Sequence, residues 1–135
     1  MTRALLATLG LLTAHAAHAA CADAFYPQVA GPSALSLVIK ASAGILYDVY
    51  AFSTANGYLM VFNAASVPAN GPVTIGAAAG NLVECVAVSA GSAVSINYGW
   101  LAPEAFSSGM TAVFSSTGCG TLTASAAAFL HGRAF

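Results

Sequence analysis

Downstream of residue 33, apolar residues fall on every second position in one short segment after another, and turn-forming residues separate the segments. Side chains alternate faces along an extended strand, so this period of two builds half-buried β-strands and does not line one face of a helix. Ala34–Lys40 (ALSLVIK) sets Leu35, Leu37 and Ile39 on one side, with Ser36 and Lys40 on the other. Gly44–Phe52 (GILYDVYAF) sets Ile45, Tyr47 and Val49 against Asp48 and Tyr50, and Gly57–Asn63 (GYLMVFN) is a full apolar and aromatic strand. Asn56 and Gly57, between the last two, both tolerate positive φ and predict a tight β-hairpin.

The remaining segments extend the same pattern. Ala64–Pro72 holds two prolines and a second Asn-Gly pair, which suits a long turn. Val73–Ile75 is expected as a short edge strand and Ala77–Gly80 as a flexible connector. Leu82–Ser89 and Ala93–Tyr98 are expected to pair around Ala90-Gly91-Ser92, while Leu101–Ser108, with Pro103, is expected as a loop. Met110–Ser115 and Leu122–Leu130 close the series. Alanine-rich Ser125–Leu130 has helix propensity, but its alternation and the preceding Gly-Cys-Gly turn favour a final strand. About seven or eight strands at turn spacings of about ten residues predict an all-β fold. The expectation is an antiparallel β-sandwich of jelly-roll or immunoglobulin-like type, or a small barrel, linked as a meander of hairpins.

The first residues have a different character. Met1-Thr2-Arg3 is a short positive stretch, Ala4–Thr13 (ALLATLGLLT) is apolar, and Ala17-His18-Ala19 offers small residues for a signal peptidase. Residues 1–20 are therefore expected to be a signal peptide and 21–135 a single β-sandwich domain. Export places Cys21, Cys85 and Cys119 in an oxidising compartment, where disulfides persist. Three cysteines allow three single pairs and leave one over, so the pairing stays open. Cys85, within the apolar run LVECVAV, suits a small buried apolar residue; bridged, it would tie a strand to a loop.

Chemistry is limited by how few ionisable groups the chain carries. Lys and Arg together number 3 and Asp and Glu 4, a charged fraction of 5%. Beyond the leader these are Asp23, Lys40, Asp48, Glu84, Glu104 and Arg133, with His131, each isolated in sequence. Catalytic sites are built from clustered titratable groups. There is no G-x-S-x-G elbow, and His131, four residues before the C-terminus, suits a solvated tail. Glu84 and Glu104 are the one pair that could serve glycoside hydrolysis, but one falls in a strand and the other in a Pro-containing loop, which suits surface carboxylates. Gly31-Pro32-Ser33 and Gly118-Cys119-Gly120 lack the helix that frames a phosphate loop. Without C-x-x-C or paired histidines no metal set is expected, and no cofactor is implied. Lys40 and Arg133 cannot form the basic patch that nucleic acid requires. No run reaches the roughly 18 apolar residues of a membrane helix. The expectation is a protein that is not an enzyme.

A net charge of −1 with 59% hydrophobic residues leaves little repulsion between copies, which favours association. Aromatic side chains are the remaining binding candidates, because rings offer large contact area at low entropy cost. Trp100, Tyr98, Tyr50 and Tyr58 are the candidate set, while Tyr47 and Phe62 suit strand packing.

The ordered stretches Leu37–Gly44 (LVIKASAG), Gly57–Pro72 (GYLMVFNAASVPANGP), Phe114–Gly118 (FSSTG) and Thr121–Gly132 (TLTASAAAFLHG) resemble a family of small β-rich proteins. These are encoded by bacteriophages and prophages, often of alphaproteobacteria, and are virion-associated. The resemblance spans residues 33–132. Gly118-Cys119-Gly120-Thr121-Leu122 departs from it, since members carry an aromatic and a lysine in the last hairpin, and members lack a leader. The resemblance brings no catalytic residues. It implies a non-enzymatic structural or interaction protein that self-associates or decorates a virion or a prophage-derived exported assembly, with itself or other virion or surface proteins as partners. The location implied is the virion, or the periplasm or exterior where the leader acts. The alternative expectation is an extracellular carbohydrate- or protein-binding module that uses the exposed aromatics on a glycan or protein.

Overall fold

Alternating segments become antiparallel strands along most of the chain. The computed structural model describes residues 26–99 and 104–135. The expected signal peptide, Cys21, Trp100 and Pro103 lie outside the described residues. The strands are β1 (Tyr26–Ala34), β2 (Ser36–Lys40), β3 (Gly44–Ser53), β4 (Gly57–Phe62), β5 (Gly71–Pro72) and β6 (Leu82–Val88). They continue with β7 (Ser92–Asn97), β8 (Glu104–Phe106), β9 (Met110–Ser115), β10 (Thr121–Leu122) and β11 (Ala128–Ala134). No helix occurs among the described residues.

The strands form two main sheets. One is five-stranded, ordered β1-β11-β3-β7 with β8 also pairing β3; the other is four-stranded, ordered β2-β9-β4-β6. β5 and β10 make a small third ribbon. The inward residues of both main sheets meet in one core. Leu46, Val49, Ala51, Ala128 and Leu130 come from the first sheet, and Leu37, Ile39, Leu59, Val61, Ala112 and Phe114 from the second. Complete burial of each large member contributes about 1.5–3 kcal/mol, so this core dominates stability.

The expected meander is not what forms. The expected hairpin at Asn56-Gly57 does not pair its flanking strands: β3 pairs β11, β7 and β8, whereas β4 pairs β6 and β9. The link from β3 to β4 crosses between sheets. Gly57 is absent from the positive-φ glycines among the described residues; it serves by its size. A Cβ there would stand 2.5 Å from the Phe114 ring and 2.5 Å from the Ser115 carbonyl oxygen. Likewise β6 and β7, expected to pair around Gly91, lie in different sheets.

Three boundary expectations also change. Residues 73–75 form no strand; the ribbon strand is Gly71–Pro72, and Ile75 makes only an isolated bridge to Leu82. Within the expected loop 101–108, Glu104–Phe106 pairs with β3. The expected last strand divides, with β10 ending at Leu122 and β11 starting at Ala128 and running to Ala134. β1 was concealed in the sequence by Pro27, Gly31 and Pro32, residues that weaken any strand signal.

The second sheet is covered on both faces. Met60, Phe62, Leu82, Val113 and Leu122 form another buried cluster on its far side, roofed by Ala64, Val73, Cys85, Cys119 and Ala124. This explains why every residue of β9 is buried. A disulfide joins Cys85 on β6 to Cys119 in the β9–β10 turn, so Cys85 is a cross-link and not the free buried thiol its apolar surroundings suggested. Asn63, also buried, ties the roof down from the other end. Its side-chain nitrogen donates to the Ala77 carbonyl at 2.7 Å and to the Ser107 hydroxyl at 3.0 Å, and its oxygen accepts from the Ser108 amide at 2.9 Å.

Candidate interaction face

The outward side of the five-stranded sheet is built by one parity of three strands. On β3, Val49 and Ala51 enter the core, so Tyr50 and Phe52 point away from it. On β11, Ala128 and Leu130 enter the core, which turns Phe129, His131 and Arg133 outward. On β7, Val94 and Ile96 pack inward, leaving Ala93, Ser95 and Asn97 outside. Register then aligns these residues into three rows. Phe129, Phe52 and Ala93 make the first, His131, Tyr50 and Ser95 the second, and Arg133, Asp48 and Asn97 the third.

Directly opposed side chains on antiparallel strands stand within contact reach, so each row is a physical unit. Two rows are aromatic at their centre, with only small side chains on the β7 flank. Phe52 is 39% exposed, and Tyr50, Phe129 and His131 are half-buried. The third row closes the patch with an ion pair. Arg133 Nε donates to Asp48 Oδ2 at 2.6 Å, and its Nη2 contacts the same oxygen. That hydrogen bond raises the Arg133 pKa further above its already high ordinary value. Two of the ionisable groups that look isolated in sequence are therefore partners across 85 residues.

The candidate aromatic residues are separated. Tyr50 belongs to the face just described. Tyr58 lies on the far side of the other sheet, opposite Ala87 and Ser115, where it packs beside the second cluster and lines an open groove. Tyr98 follows β7 and packs against the main core. Its hydroxyl is buried without a hydrogen-bond partner among the described residues. Burial, with the charges of Glu84 and Glu104, pushes its pKa up to about 12. Trp100 lies outside the described residues.

Glu84 sits opposite Val61, a core residue, and so shares its inward side. Together with Glu104 on β8 it reaches Tyr98 electrostatically. Both carboxylates are half-buried. Among the described residues no group of three or more His, Cys, Asp or Glu side chains could hold a metal ion.

Phe52, Phe129 and His131 were not singled out as binding candidates by the sequence. His131 looked like tail because of its position, yet β11 runs on to Ala134 and puts it beside the sheet's central strand. The usable signal was the parity of Ala128–Ala134 (AFLHGRA), in which Phe129, His131 and Arg133 share one side. No protein-family model, curated protein or solved structure matches the chain.

Proposed function

We propose that the protein is a non-enzymatic interaction module, a jelly-roll sandwich that associates with further copies of itself through the outward aromatic face of its five-stranded sheet. The single observation that carries this reading is the pair of aromatic rows, Phe129–Phe52 and His131–Tyr50, turned away from the core. The strand orders β1-β11-β3-β7 and β2-β9-β4-β6 support the jelly-roll assignment. Successive long strands cross between sheets at β1–β2, β2–β3, β3–β4 and β6–β7, as in two interlocked Greek keys. That architecture serves viral capsid and lectin domains, in keeping with the virion-associated family that the sequence resembles.

Charge supports self-association as well. With a net charge of −1, copies approach without a colloidal barrier. Outward aromatic rings between small neighbours supply the flat, desolvatable centre on which protein interfaces depend. An exported or virion-bound assembly of such copies is the proposed setting.

Sedimentation velocity of the full chain over a wide concentration range tests the reading. A dimer or larger species that dissociates on dilution is expected, and a monomer at every concentration would contradict it.

A further inference from the structure

We propose a second site, on the opposite sheet, that binds an uncharged saccharide. Three connections converge at one end of the four-stranded sheet: β3–β4, β6–β7 and β9–β10. The first two are fastened together, with the Gly91 amide donating to the Ser53 carbonyl and the Ala90 amide donating to Asn56 Oδ1, both at 2.8 Å. Beside them an open groove of about 500 Å³ is lined by residues that include Asn56, Tyr58, Ala87, Ser89 and Ser116. Loops held by a rigid sheet are a common location for binding residues.

The lining specifies the chemistry of the occupant. Tyr58 is an aromatic ring that can stack on the apolar C–H face of a sugar. Asn56 has its oxygen engaged by Ala90, which leaves its side-chain nitrogen as a donor. Among the described residues that nitrogen, the Ser89 hydroxyl and the Tyr58 hydroxyl take part in no hydrogen bond, and Ser116 adds a hydroxyl that donates to the Thr123 carbonyl at a long 3.3 Å. Neutral donors and acceptors around one ring match a ligand dense in hydroxyls.

None of the described residues that line the groove is charged. The cations of the described residues are committed elsewhere, Lys40 over the Phe135 ring at 5.9 Å and Arg133 on Asp48. An anionic glycan or a nucleotide would find no counter-charge here. The groove is on the other sheet from the aromatic face, so copies joined through that face leave it open, and the two proposals stand or fall separately.

The test is a glycan array carrying neutral and acidic glycans, followed by calorimetric titration of the full chain with the neutral oligosaccharides that bind. Saturable binding of a neutral glycan is expected. Tyr58→Ala should weaken it about tenfold, the loss of a contact of about 1.4 kcal/mol, and Tyr58→Phe should keep most of it. Because Tyr58 also packs beside the second cluster, the exposed residue Ser89 provides a variant that leaves packing intact, while Asn56→Ala also removes the Ala90 bond that fastens the two loops. Asn56→Ala and Ser89→Ala should each weaken binding about three- to tenfold. Binding to no neutral glycan, to acidic glycans alone, or with affinity unchanged in all of these variants would overturn the proposal.

Discussion

Phe52 on β3 and Phe129 on β11 stand directly opposite one another on the outward side of the five-stranded sheet, 77 positions apart in sequence by number (129 minus 52). Both strands spend their other parity on the main core. A sheet that faced only water would be expected to carry polar residues at these positions. Here the outward rows are aromatic at the centre and end in the Asp48–Arg133 ion pair. Arg133 is 40% exposed, so solvent screens that pair and its contribution is about 0.5 kcal/mol. It frames the patch more than it stabilises the fold.

The Cys85–Cys119 disulfide closes a loop of sequence separation 34 and pins the roof over the second cluster. Loop-closure entropy for that length is about 3–4 kcal/mol. The variant Cys85→Ala/Cys119→Ala should lose that much in urea unfolding, and the reduced wild type should bind a hydrophobic dye as Met60, Phe62 and Leu122 become accessible. A loss below about 1 kcal/mol would show that the roof is held by its hydrogen bonds and packing instead.

Gly57 and Gly91 separate two reasons for glycine. Gly57→Ala places a methyl 2.5 Å from both the Phe114 ring and the Ser115 carbonyl, and should cost about 2–3 kcal/mol through overpacking. Gly91 has open space around it but a φ of 73°, so Gly91→Ala should cost about 1 kcal/mol from backbone conformation alone. Thermal unfolding of the two variants distinguishes them, and equal small losses would contradict the close approach of β4 to β9.

Tyr98 predicts an alkaline loss of stability. Its hydroxyl holds its proton to about pH 12 in the folded chain, against an ordinary value of 10.0 when unfolded. Between those values the unfolded state binds fewer protons, so stability falls as pH rises through this window. Tyr98→Phe should reduce that fall. At neutral pH the variant should be as stable as wild type or up to about 1 kcal/mol more so, since a buried hydroxyl without a partner among the described residues is removed. A clear destabilisation at neutral pH would mean the hydroxyl has a partner.

Strand identity was legible in the sequence where alternation was strong, as in Ser36–Lys40, Gly44–Ser53 and Ser92–Asn97, or where an apolar and aromatic run was unbroken, as in Gly57–Phe62. Pairing was not, because a period of two states which side chains share a face and nothing about which sheet a strand joins. Asn56-Gly57 carried the residues of a tight hairpin, yet tertiary packing against Phe114 decided the role of Gly57. β9 is buried on both faces because a roof covers it, a fact outside the reach of its own six residues. Tyr50 was a binding candidate from its type, whereas its neighbours Phe52, Phe129 and His131 became visible only once β3 and β11 were placed side by side.

The most direct measurement of the central claim is light scattering with size exclusion on the wild type and on Phe52→Ser/Phe129→Ser, with circular dichroism as the check on folding. Both side chains point away from the core, so the variant should fold with a stability change within about 1 kcal/mol. The wild type should elute as a dimer or larger species and the variant as a monomer. A folded variant that keeps the wild-type mass, or a wild type that is itself monomeric, would contradict the assignment of this face.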